Sequence, residues 1–234
     1  MDATPEQRTY ARLAGVMILA NVVLQIGGDS VTIISHGNAT FEETARFATE
    51  SALLWRVSLA AVGASFVAIG VLAFALYAVL EPVNKRLAQL ALCMRLGASF
   101  VGAANLMLRF AQARLYQSSA TAGLFTTEQL RTLVAASQRA SSAGFNLSIM
   151  FLGLGSTIFF VLFLRSRYLP AALARFGIGF CPLMGAVAIA MLVFPERTNE
   201  LKLLWLPGLP LDLVTAFWLL FKGLQPRAAT EARD

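Results

Sequence analysis

ALLWRVSLAAVGASFVAIGVLAFALYAVL, residues 52–80, contains one Lys, Arg, Asp or Glu, which is Arg56, and it is closed by Glu81-Pro82. About 20 predominantly apolar residues in helical form cross the hydrocarbon of a bilayer. A stretch this long and this apolar reads as a membrane-spanning helix. Five further segments read the same way, at about 10–34, 87–116, 128–164, 170–194 and 201–223. With their short connections they use nearly the whole chain, so residues 1–234 read as a single membrane domain. The expected fold is all-α, an integral membrane bundle of six transmembrane helices.

Composition agrees. The 234 residues are 57% hydrophobic and 14% charged, where soluble domains hold roughly 45–50% apolar and about 25% charged residues. Mean hydropathy is +0.67. The net charge of +6 would raise the question of nucleic acid in a soluble protein. Here the cations sit at segment ends without a basic run, which points to topology control and to no nucleic-acid partner. The expected surroundings are a lipid bilayer.

Orientation follows from the same cations. With the N-terminus inside, Arg8, Arg12, Lys85, Arg86, Arg165, Arg167, Lys222, Arg227 and Arg233 gather on the cytoplasmic side. The opposite connections hold Glu42, Glu43, Glu50, Glu128, Glu196 and Glu200. Both termini are therefore expected to be cytoplasmic. The mixed charges Asp2, Glu6, Arg8 and Arg12, with no A-x-A site after the apolar run, make the first segment a retained helix rather than a cleaved signal.

The segments differ in detail. Ser35–Glu50 is polar and reads as a loop with a short surface helix. Thr126 or Thr127 is placed to cap a long amphipathic helix that runs into the apolar stretch from Phe145. Pro182 is expected to kink the fifth segment. In the sixth, Pro207, Gly208 and Pro210 interrupt the apolar run, and Asp212 follows. This fits a helix restarting inside the membrane, or else a kinked helix or one that begins near Leu209. Gly63, Gly70 and Tyr77 form a seven-residue stripe suited to a close helix neighbour, and Gly153 and Gly155 read as packing glycines rather than a nucleotide loop.

Charges inside apolar helices are expensive and usually face a partner or a wet cavity. Asn21, Gln25 and Asp29 recur at i, i+4 and i+8 and share one helix face. Counting helix rise puts Arg95 and Asp212 at matching depth, roughly 12–15 Å from the cytoplasmic side. They are expected to form a structural ion pair. Gln25, Asp29, Arg56, Asn105, Arg109, Arg139 and Asn146 map to the outer half and are the candidate ligand-binding set. Three arginines against one aspartate would favour an anion or an acidic lipid headgroup. Alternatively, Arg56, Arg109 and Arg139 snorkel outward to the interface.

The stretches Arg12-Leu13-Ala14-Gly15, Glu81-Pro82-Val83-Asn84-Lys85-Arg86-Leu87-Ala88, Arg165-Ser166-Arg167-Tyr168-Leu169-Pro170 and Trp218-Leu219-Leu220-Phe221-Lys222-Gly223 resemble a bacterial family of six-helix membrane proteins, the domain-of-unknown-function 4386 family. The resemblance implies an integral membrane protein with no assigned activity. It also implies an Arg early in the second helix, here Arg56, and an acid after the Leu-Pro of the last, here Asp212 in place of the usual Glu.

No catalytic residue, cofactor or metal site is expected. One His and two Cys are dispersed, His36 reads as a solvated loop residue, and Cys93 and Cys181 as packing residues. Three function classes follow. The first is binding of an anionic or amphiphilic small molecule or lipid in the outer-half cavity. The second is an accessory or structural subunit, as a homodimer or against another membrane protein. The third is a lipid-modifying enzyme using Asp29 or Asp212.

Overall fold

The structure is a computed structural model that describes residues 4–36, 40–118 and 125–225, with the side chains of all of these except 31–36 and 118. The helices are α1 (Pro5–His36), α2 (Phe41–Glu50), α3 (Ala52–Leu80), α4 (Lys85–Ser118), α5 (Thr127–Ser166) and α6 (Ala171–Val193), then the short α7 (Thr198–Leu201) and α8 (Gly208–Phe217). Six helical segments are long and apolar enough to cross a membrane, and they coincide with the six read from sequence. The fold is all-α. Some boundaries shift: α1 runs from Pro5 to His36, past both expected ends at Tyr10 and Ile34, and the last helical segment begins at Pro195 rather than Leu201. The His36 side chain lies outside the described residues.

Local chemistry sets the ends. Thr40 caps α2 through a reciprocal capping box, in which its hydroxyl accepts from the Glu43 N–H at 3.3 Å and Glu43 Oε2 accepts from the Thr40 N–H at 2.7 Å. Thr126 and Gln129 repeat the device at the start of α5. Asn84 Oδ1 takes the Leu87 N–H at 3.0 Å, so the turn Glu81–Asn84 feeds α4 with its first donor satisfied. The α5–α6 turn passes through Arg167 in the left-handed region at φ 57°.

The six spans form a ring in chain order. α1 packs on α3, α3 on α4, α4 on α5 and α5 on α6, and the last segment returns to close against α1 while touching α6. Small residues allow the close approaches. A Cβ on Gly153 would lie 2.6 Å from the Cys181 carbonyl oxygen of α6, and one on Gly15 would lie 2.9 Å from the Ala216 carbonyl oxygen of α8. At the end where the described residues begin and finish, the middle of the ring is packed. Leu76, Val79, Leu80, Phe159, Leu162 and Leu219 form a buried apolar plug. Gln7 Nε2 donates to the Val79 carbonyl at 3.0 Å and the Gln225 N–H to the Tyr168 carbonyl at 3.2 Å, tying both ends of the described chain to this plug.

At the far end α2 lies against α4 and α3. Ala45 and Ala48 pack with Trp55, Ala113, Tyr116 and Val134. Glu42 is joined to Arg131 of α5 by an ion pair, and the Arg131 guanidinium also sits 5.8 Å above the Phe41 ring.

The sixth segment is helical without being one helix. It passes through 3₁₀ turns at Pro195–Arg197 and Lys202–Trp205, breaks at Leu206-Pro207, restarts as α8 at Gly208 and ends in a wide π turn at Trp218–Lys222. Pro210 falls in the first turn of α8, where its missing N–H is no loss. The restart is thus at Gly208, beside Leu209 and two residues before Pro210. α6, by contrast, runs unbroken across Pro182.

Candidate functional site

Above the apolar plug the ring encloses two stacked cavities. The lower one, of about 300 Å³, is bounded by α1, α3, α4, α5, α6 and α8. The upper one, of about 320 Å³, lies towards the far end beneath Thr198 and Lys202 of the α6–α8 connection. Gln25, Phe66, Phe145 and Trp205 line both and form the seam between them.

The upper cavity gathers five of the seven residues expected from sequence: Gln25, Asp29, Asn105, Arg109 and Asn146. The i, i+4 spacing on α1 brings Gln25 and Asp29 together, and Gln25 Nε2 donates to Asp29 Oδ2 at 3.1 Å. Arg109 Nη2 of α4 donates to the other carboxylate oxygen at 2.9 Å. The Ser65 hydroxyl of α3 then reaches Gln25 Oε1 at 2.7 Å. Three helices are joined by one chain of hydrogen bonds, and both oxygens of Asp29 are engaged. Asn105 Nδ2 bridges to the Ser141 carbonyl on α5 at 3.0 Å, while its own Oδ1 is buried without a partner.

Arg56 and Arg139 do not join this set. Both are exposed and line neither cavity. Arg56 follows the buried Trp55 on α3 and so points away from the ring; Arg139 sits on the exposed face of α5, between Gln138 and Ala140. The expected excess of cations is corrected accordingly. Arg109 is the arginine left in the upper cavity, and it faces Asp29 at contact distance. Lys202 at the mouth adds a positive charge that sequence reasoning passed over.

The lower cavity holds Arg95 and Asp212. Among the described residues no ion pair within 4.0 Å joins them, so they share the cavity without direct contact. They interact electrostatically across the cavity, with Cys181 beside them. Asp212 is exposed, and the helix geometry says to what. Leu211, Thr215 and Ala216 are buried while Leu209, Val214 and Phe217 face outward. At about 100° per residue, Asp212 projects between Thr215 and Ala216, on the inward face. Gly155 makes room for Arg95, because a Cβ there would lie 2.8 Å from Arg95 Cγ.

Four residues that line this cavity each carry a polar atom buried without a hydrogen-bond partner: Asn21 Oδ1, Arg95 Nε, Trp205 Nε1 and Thr215 Oγ1. Thr215 is only 5% exposed. Buried polar groups are normally satisfied, and an orphan costs about 1–3 kcal/mol. Trp205 had the sequence signature of an interface aromatic, and nothing local distinguished Thr215 from a packing residue. Only the packing of the last segment brings both into the ring: Thr215 on α8 and Trp205 at the end of the 3₁₀ turn before it.

Fold and cavity together define a multi-pass membrane protein with charged residues on the wall of a mainly apolar interior. The chain belongs to the family described as Domain of unknown function (DUF4386), which matches residues 13–223. No curated protein and no solved structure matches it.

Proposed function

We propose that this protein binds a small amphiphilic molecule in the two stacked cavities, entered from the end opposite the termini. One observation carries the reading: a two-chambered, mainly apolar interior stands above an apolar plug and carries the charged residues Arg95, Asp212, Asp29 and Arg109. Binding sites are mostly apolar with a few convergent polar groups. The lower cavity fits that description, with Phe66, Phe145, Phe159 and Phe180 around Arg95 and Asp212. A purely accessory subunit has no use for charges held in such a space. A lipid-modifying enzyme would have to work from Asp212, since both oxygens of Asp29 are taken.

The Lys and Arg bias supports both termini on the cytoplasmic side of a bacterial inner membrane, which turns the upper cavity outward. Lys202 at the mouth would favour anionic groups on entry.

The test is native mass spectrometry of the protein extracted from its own membrane, beside an Asn21→Phe variant that fills the lower cavity with a side chain matching its walls. The expected result is a co-isolated amphiphile with the wild type that is lost with the variant. If the same molecules accompany both proteins, or none accompanies either, the reading falls.

A further inference from the structure

Two arginines of α4 face an aspartate inside the ring, and the fold treats them differently. Arg109 closes on Asp29 at 2.9 Å. Arg95 and Asp212 share the lower cavity and feel each other's charge without closing. Resting on the amphiphile reading above, we infer that the lower cavity recognises a dipolar headgroup: an anionic group for Arg95 and an ammonium for Asp212, a few bonds apart on an apolar tail.

A charge left alone in apolar surroundings is strongly disfavoured unless it is paired. A ligand with a single charge would satisfy one side of this cavity and strand the other. A dipolar group satisfies both at once. The other lining residues extend the match. Trp205 and Arg95 carry N–H donors suited to an anion, and Asn21 carries an amide oxygen suited to an ammonium. The Thr215 hydroxyl, one turn beyond Asp212 on the same helix face, can serve either. The upper cavity lacks this character, because its carboxylate is already taken by Arg109 and Gln25. It serves as the vestibule, and the aromatic seam at Phe66, Phe145 and Trp205 separates it from the selective chamber.

The chemistry is shared by a phosphoethanolamine lipid headgroup and by a free small zwitterion, and a matched probe set separates the two. Dodecyl phosphoethanolamine, dodecyl phosphate as its methyl ester, dodecylamine and chainless phosphoethanolamine as its methyl ester, so that every phosphate carries one negative charge, would be titrated calorimetrically against the full-length protein in maltoside micelles. The zwitterionic amphiphile is expected to bind about tenfold or more tightly than either single-charge amphiphile, the worth of one charge-assisted hydrogen bond. Asp212→Asn should make dodecyl phosphate equal to the zwitterion, and Arg95→Gln should do the same for dodecylamine. Either variant leaves one buried charge unpaired, so an Arg95→Met, Asp212→Leu double variant guards against misfolding. It should fold, keep the tail affinity and lose all headgroup preference. Chainless phosphoethanolamine binding as tightly as the tailed form upholds the dipolar site and makes the occupant a soluble zwitterion. Equal binding of phosphate and phosphoethanolamine amphiphiles to the wild type, both lost in Asn21→Phe, overturns the inference and leaves the amphiphile reading standing. No binding of any tailed probe overturns that reading itself.

Discussion

Gly27 and Gly28 are neighbours on α1, and replacing each with alanine should have opposite effects. A Cβ on Gly28 would lie 2.5 Å from Val62 Cγ2, 2.9 Å from the Ser58 carbonyl oxygen and 3.2 Å from the Val62 nitrogen. The first contact can be relieved by a side-chain rotation. The other two are backbone atoms of α3, so α1 and α3 have to separate. Ordinary contact begins at 3.4 Å, so the Ser58 contact is short by 3.4 − 2.9 = 0.5 Å. Overpacking of this kind costs about 1–3 kcal/mol. Gly27 has nothing within 4 Å of its would-be Cβ, and there alanine gains up to about 1 kcal/mol of helix propensity. The two variants should therefore differ by about 1–4 kcal/mol. Thermal unfolding in one detergent, followed by intrinsic tryptophan fluorescence, would show Gly28→Ala melting below the wild type and Gly27→Ala at or above it. The effect should reach the site as well, because Asp29 is the next residue and its 2.9 Å contact with Arg109 depends on that same crossing. Equal midpoints, or a lower midpoint for Gly27→Ala, would refute the packing of α1 on α3 described here.

A double-mutant cycle of Asp29→Asn and Arg109→Gln should give a coupling of about 1–2 kcal/mol, between the values for exposed and buried pairs, since the side chains are 34% and 19% exposed; coupling near zero would remove the pair from the structure's support. Arg56→Gln and Arg139→Gln should leave binding of any cavity ligand unchanged, because both side chains lie outside the ring, and a titration showing weakened binding would restore them to the site. The hydrogen bond from Arg131 holds the Glu42 carboxyl below its ordinary range. Its contribution is therefore present above the usual carboxylate pKa and lost as pH falls through the lowered value. Hydrogen-exchange protection of α2 should fall in acid towards that of Glu42→Gln, which itself should show no such step. For topology, cysteines placed at Asn84 and Glu200 in a background without Cys93 and Cys181 should label from opposite sides. An impermeant maleimide applied to intact cells should reach Glu200→Cys alone.

The membrane fold was legible because hydrocarbon imposes a length rule that any single segment obeys or fails by itself. Capping was legible for the same reason: Thr126 and Gln129 meet within one turn. So was the α1 stripe, because the helix period alone brings Gln25 to Asp29. The glycines were legible only in part. Gly63 and Gly70 form a visible stripe, yet the backbone-limited approaches are at Gly15, Gly28, Gly153 and Gly155; of these the sequence singled out the last two, and the four depend on where each pair of helices crosses. Helix rise put Arg95 and Asp212 at one depth, but depth is a coordinate along the axis. Whether two charges touch depends on rotation about the axis and on distance across the ring, and these follow from the packing of all six spans. The chain alone therefore determined six spans, their order, the capped ends and which polar residues share a helix face. Tertiary structure alone decided that Arg56 and Arg139 face outward, that Arg109 closes on Asp29 and that Arg95 and Asp212 stay apart. The physical reason is that burial in lipid acts on each helix separately, whereas a cavity exists only between helices.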